Sequence, residues 1–124
     1  MTKKNEIKIK FPGFPENYIH TFWKYPRMLE GYWYMLSGSE QKILDFILRQ
    51  TVGYGKPSDK INSTQFRTGI GKDNKGVGLD KKTVGRAVDS LVEKGFIWKK
   101  RVSYWVNEYG LVMKSKMDYD GVKK

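Results

Sequence analysis

The chain has 124 residues, enough for one modest hydrophobic core and too few for two. Its 24 Lys and Arg against 13 Asp and Glu leave a net charge of +11, which favours polyanions through counterion release without choosing among DNA, RNA and an anionic membrane. No Cys is present, which excludes disulfides and Cys-rich zinc sites. No apolar run approaches the roughly 20 residues that span a bilayer, and MTKKNEIKIK lacks a signal peptide's apolar stretch, so a cytoplasmic location without a membrane partner is expected.

Residues 1–12 read as a basic arm carrying Lys3, Lys4, Lys8 and Lys10. Residues 11–17, FPGFPEN, are punctuated by Pro and Gly as an entry segment. Tyr18 to Tyr34 is dense in aromatics and interrupted by Pro26 and Gly31, predicting a short helix, a turn and a second short apolar segment under the domain. Ser37 and Glu40 then make an S-x-x-E capping box, and Ile43, Leu44, Phe46, Ile47 and Leu48 give the following helix a wide apolar face to about Gln50. Residues 51–57 stop that helix. Ile61 marks a short strand, Asn62 or Ser63 caps a second helix with Phe66 inward, and Gly69 ends it near Thr68.

Residues 71–78 are Gly-rich and occupy the place of a helix-turn-helix turn, which ordinarily has about 3–4 residues. Asp80 caps the third helix, whose apolar face is Val84, Ala87, Val88, Leu91 and Val92. Lys82, Arg86 and Asp89 point the opposite way, with Lys81 and Thr83 on the flanks. Gly95 suits a left-handed C-cap, Phe96 to Lys100 and Val106 to Met113 pair as a hairpin, and Arg101 to Trp105 form its tip. The order of elements predicts an α+β winged helix-turn-helix, three core helices with a C-terminal β-hairpin wing and an aromatic N-terminal extension. The domain is placed at residues 13–113, with 114–124 as a polar tail.

These blocks, taken in order, carry a family likeness. Gly13-Phe14 with Asn17, residues 36–40 (LSGSE), Arg49-Gln50-Thr51 with Gly53-Tyr54, Asp59, residues 61–66 (INSTQF), Thr68-Gly69 and residues 79–97 together resemble the N-terminal domain of the phage replication protein O and replisome organiser family. The likeness covers about residues 13–111, with Tyr54 where the family more often has Trp. It implies origin binding and recruitment of a replicative helicase or helicase loader, and a homodimer on repeated sites. Family members usually continue into a C-terminal helicase-engaging region, whereas this chain stops soon after the hairpin. It is expected to be either a piece of a longer protein or a free-standing accessory.

The candidate DNA-binding residues follow from chemistry and placement. Lys81, Lys82, Thr83 and Arg86 would read bases or hold phosphates, Arg86 by a bidentate contact to guanine. Gly85 keeps the helix surface low beside Arg86. Lys99, Lys100 and Arg101, with Tyr104 and Trp105 close behind, suit phosphate contact plus base stacking at the wing. For Trp98 and Trp105 the alternative is that they face each other across the hairpin and cover the core. Lys72 and Lys75 reach phosphates from the turn loop, or belong to a loop that is merely solvated, and Ser63 and Gln65 complete the set at the second helix cap. Gly76 is followed by Val77-Gly78, so the loop is no P-loop, and Asp73-Asn74 alone make no EF-hand. With a lone His20 and no Cys, no catalytic or metal set assembles, and neither enzyme activity nor a cofactor is expected. Duplex DNA is the favoured partner. The competing functions are a transcriptional regulator of the same fold and a single-stranded DNA-binding replisome accessory.

Overall fold

The first helix begins at the predicted cap. Ser37 Oγ accepts from Glu40 N–H at 3.1 Å, and Glu40 Oε1 accepts from Ser37 N–H at 2.9 Å, closing the box at the head of α1, Gly38–Thr51. The computed structural model describes residues 11–17, 23–71 and 74–114. After α1 come β1 (Ser58–Asn62), α2 (Ser63–Thr68), α3 (Lys81–Lys94), β2 (Ile97–Arg101) and β3 (Val106–Leu111). The strands form an antiparallel sheet in the order β1-β3-β2, with Ile61 opposite Asn107 and Lys100 opposite Glu108. This is an α+β fold.

The apolar faces meet as the periodicity predicts. Ile43, Leu44, Ile47 and Leu48 of α1 pack with Val84, Ala87, Val88 and Leu91 of α3, all buried. Each such side chain contributes roughly 1.5–3 kcal/mol on burial. Phe66 of α2 joins them to the sheet, its ring 5.1 Å from Phe46 and 5.3 Å from Tyr109. The N–H of Gly95 closes α3 onto Leu91 and Val92 in a left-handed cap, as expected.

Several expectations need correction. The cap of α2 is Asn62, whose side chain accepts from Gln65 N–H while Gln65 returns a bond to Asn62 N–H. Ser63 is therefore the first helical residue, and Gln65 is occupied by the capping box. Gly31 does not break its segment, because Arg27–Met35 is a continuous 3-10 helix in which Leu29 alone is buried. That tighter winding does not follow the 3.6-residue period. β2 begins at Ile97 rather than Phe96, and β3 ends at Leu111 rather than Met113. The basic arm up to residue 10, His20, Lys72 and the tail from residue 115 lie outside the described residues.

From Asn74 onward the turn loop packs back onto the domain. Ile70 and Asn74 form a bridge, Val77 N–H bonds the Phe66 carbonyl at 2.9 Å, and Asn74 Nδ2 reaches Gln50 Oε1 at 3.3 Å. Gln50 in turn donates to Asp59 Oδ2 at 3.2 Å, so one buried amide ties α1 to β1 and to the loop. The loop folds back so tightly that a Cβ on Gly69 would lie 1.8 Å from the Asn74 carbonyl oxygen, and one on Gly76 would lie 2.5 Å from that of Arg67. Both glycines also have positive φ, which side chains rarely tolerate.

The cap residue Glu40 has a second task. Its carboxylate accepts bonds from Lys94 Nζ at 2.8 Å and from Ser90 Oγ, joining the start of α1 to the end of α3. Burial alone would raise its pKa. The bonds from Lys94, Ser90 and the Ser37 N–H, with the Lys94 charge, outweigh that and bring it from 4.5 down to about 2. A depressed carboxylate contributes stability above its unfolded pKa and loses it as pH falls towards the folded one. Glu40→Gln should therefore cost on the order of 2–3 kcal/mol near neutral pH. Between pH 5 and 2 the parent should lose this advantage, so that the two melting temperatures converge. Equal melting temperatures at pH 7 would contradict the assignment.

Candidate nucleic-acid interface

The N-terminal half of α3 presents its polar face to solvent. Lys81, Lys82 and Arg86 are exposed and Thr83 is half-buried, while Val84 and Ala87 turn inward. None of the ion pairs among the described residues involves Lys81, Lys82 or Arg86. Asp80 caps the helix by accepting from Thr83 N–H at 2.8 Å. Hydrogen bonds from Thr83, side chain first and then backbone, hold its carboxyl below the ordinary value, and Arg86 and Arg67 lower it further. The charge of Arg67 on α2, a cation the sequence reading missed, is thus felt at the Asp80 cap along with that of Arg86. Nothing approaches within 4 Å of a Cβ placed on Gly85, so the helix surface next to Arg86 is open.

Lysines at this end are costly to the helix itself. The N-terminus carries the positive end of the macrodipole, where a cation is disfavoured by about 0.3–1 kcal/mol. An anion seated there meets the dipole, free N–H groups and the two lysines together.

The hairpin divides its charges. Strand alternation puts Ile97, Lys99 and Arg101 on one face and Trp98 and Lys100 on the other. Since Ile97 is buried, its face is the one packed on the helices, and Lys99 accordingly reaches Asp89 of α3 at 2.9 Å. That pair is exposed, worth about 0–1 kcal/mol, and yields easily to a stronger anion. Lys100 lies on the opposite face, across from Glu108. The run 99–101 thus supplies two cations towards α3 and one away from it.

The two tryptophans part company. Trp98 is half-buried and lies against Gly110, where a Cβ would come within 2.5 Å of its ring. Trp105 sits in the turn, 75% exposed, and packs edge-on against Tyr104 with ring centroids 4.5 Å apart. Arg101 stacks over Tyr104 at 5.6 Å. The two indoles therefore do not face each other, and the hairpin tip is an aromatic–cationic cluster. Lys75 is exposed in the turn loop. On α2, Ser63 Oγ is buried without a hydrogen-bond partner, so Ser63 and Gln65 offer less to a ligand than their position in sequence suggested.

Among the described residues no group of His, Cys, Asp or Glu is arranged to hold a metal, and no helix is long and apolar enough to cross a membrane. Helices and sheet thus display a small, basic α+β domain with exposed cations at the start of α3 and at the hairpin tip. The chain belongs to the bacteriophage replication protein O family, whose model matches residues 27–113. That membership places it among the replication proteins of phages. Neither the curated proteins nor the solved structures contain a match.

Because Trp105 makes its ring contact with another exposed residue, removing it should leave folding intact. Trp105→Ala is expected to change stability by no more than about 0.5 kcal/mol. A melting temperature lowered as far as by a core truncation would place the ring in the core instead.

Proposed function

We propose that this domain is a winged helix that binds double-stranded DNA in the initiation of phage DNA replication. The observation that carries the proposal is the exposed start of α3, where Lys81, Lys82 and Arg86 lie outside the ion pairs of the described residues, at the end of the helix suited to anions. In a winged helix that end enters the major groove and the hairpin lies on the flanking backbone. The strand order β1-β3-β2, with a strand between α1 and α2 and a hairpin after α3, supports this assignment.

In this arrangement Arg86 and Lys82 read base edges, and Lys81 and Thr83 hold the phosphates next to them. Lys99 and Arg101 bind the backbone from the wing. Lys100 serves a phosphate only where the strand curves round to the far face. Lys72, in the loop before α3, adds a phosphate contact, and Ser63 and Gln65 act by setting the start of α2. Family membership supports an origin as the target and a replicative helicase or helicase loader as the protein partner, with a second copy of the chain on a repeated site.

A second ligand is favoured by one specific feature. Tyr104 and Trp105 offer exposed ring faces beside Arg101, the combination that stacks unpaired bases. Single-stranded DNA near a melted origin suits that tip, whereas duplex suits α3.

Duplex binding should be steeply electrostatic, with affinity falling about 10³-fold or more between 50 and 200 mM salt for six or more phosphate contacts. Arg86→Ala should cost about 1–3 kcal/mol on the preferred site and relax discrimination at one base pair. Competition binding on a panel of site variants reads both effects. A flat salt titration, or unchanged discrimination in Arg86→Ala and Lys82→Ala alike, would overturn the assignment. Trp105→Ala should lose about 1–3 kcal/mol on single strands only, if the tip stacks bases.

A further inference from the structure

A second cationic surface is formed by α1 and the loop before α3. On the outer side of α1, Lys42, Asp45 and Arg49 recur at helical spacing, and the loop from Asn74 to Val77 forms a facing wall. Trp23 also lines the groove, which has a volume of about 570 Å³. Arg49 is held in place, its guanidinium over the Tyr54 ring at 4.9 Å. A Cβ on Gly53 would lie 3.5 Å from Arg49 and 3.7 Å from Trp23, so both side chains close over that glycine.

The charges of this groove do not cancel. Its carboxylate, Asp45, already accepts from Tyr25 Oη at 2.6 Å and from Gln41 Nε2 at 3.1 Å. Lys42 reaches only the Val77 carbonyl, at 3.4 Å. None of the ion pairs among the described residues involves Lys42, Arg49 or Lys75. Three cations therefore line one groove. Lys81 lies six positions after Lys75, at most about 20 Å of extended chain, so a duplex that runs on past the stretch under α3 reaches the groove as well.

We propose that this groove is a second phosphate-binding surface, taking the sugar–phosphate backbone of DNA beyond the stretch that faces α3. It rests on the duplex-binding function proposed above and extends the footprint of that function. Lys42, Arg49 and Lys75 bind phosphates without reading sequence, and Trp23 adds apolar lining.

The test uses the full chain with Lys42→Gln and Lys75→Gln combined, two exposed side chains whose loss should leave the melting temperature unchanged. Affinity is measured across 50–200 mM salt on a duplex of about one helical turn centred on the preferred site and on one of about three turns. On the longer duplex the salt slope of the variant should be shallower than the parent's by up to about 2, at roughly 0.9 per phosphate. On the shorter duplex the two should coincide, and sequence preference should be unchanged throughout. Lys75→Glu alone, which removes no hydrogen bond, should weaken long-duplex binding about threefold or more at 100 mM salt and serves if the double variant folds poorly. A steep parent titration that both variants reproduce on the long duplex overturns the groove and leaves the α3 assignment standing. A flat parent titration overturns both. Trp23-dependent fluorescence quenching by a free nucleoside triphosphate, lost in Lys75→Glu, overturns the backbone site in favour of a small-molecule one.

Discussion

The buried carboxylate of Glu40 is the contact on which the placement of α3 depends. It starts α1 by capping and holds the far end of α3 through Ser90 and Lys94. Lys94 also donates to the Met35 carbonyl at 2.7 Å, bringing the segment before α1 to the same point. With fourteen residues, α3 extends about 20 Å from this anchor to Lys81. Apolar packing against α1 sets its height, and the Glu40 cluster sets its register. The two interactions together leave the opposite end, with its lysines, projecting into solvent.

Local stability and surface chemistry pull apart at that projecting end. Two lysines on the first turn oppose the helix dipole, and only the Asp80 cap offsets them. The hairpin tip likewise leaves two aromatic rings in water, where neither gains from the core. Such departures from locally favourable choices are expected where a surface is built for a ligand. The stability they cost is supplied by the α1–α3 core and the Phe46–Phe66–Tyr109 stack, which lie behind them.

Much of the frame was legible in the sequence because its determinants are local. The capping box of Ser37 and Glu40, the Asp80 cap, the Gly95 stop and the 3.6-residue apolar stripe of α3 each lie within a few residues of the structure they specify. The second box was legible too, since Asn62 and Gln65 have the right spacing, but Ser63 beside them left the cap undecided. The 3-10 segment over Arg27–Met35 escaped because its winding does not follow the helical period. Contacts between distant residues left no trace in the spacing. Glu40 to Lys94, Lys99 to Asp89 and Gln50 to Asn74 join segments that only the fold brings together. For the same reason the run 99–101 read as one basic patch, although strand alternation divides it between two faces. Lys42 and Arg49 were overlooked although their seven-residue spacing puts them on one stripe of α1.

On the function proposed above, the start of α3 and the hairpin tip form one DNA-binding face. Amide chemical shifts of the isotopically labelled chain, followed during titration with duplex carrying the preferred site, test it most directly. The largest changes should fall on residues 81–86 and 99–105, with none around the buried Glu40 cluster. Changes concentrated instead on Met28 to Met35 and Leu111 to Met113, with α3 silent, would contradict it.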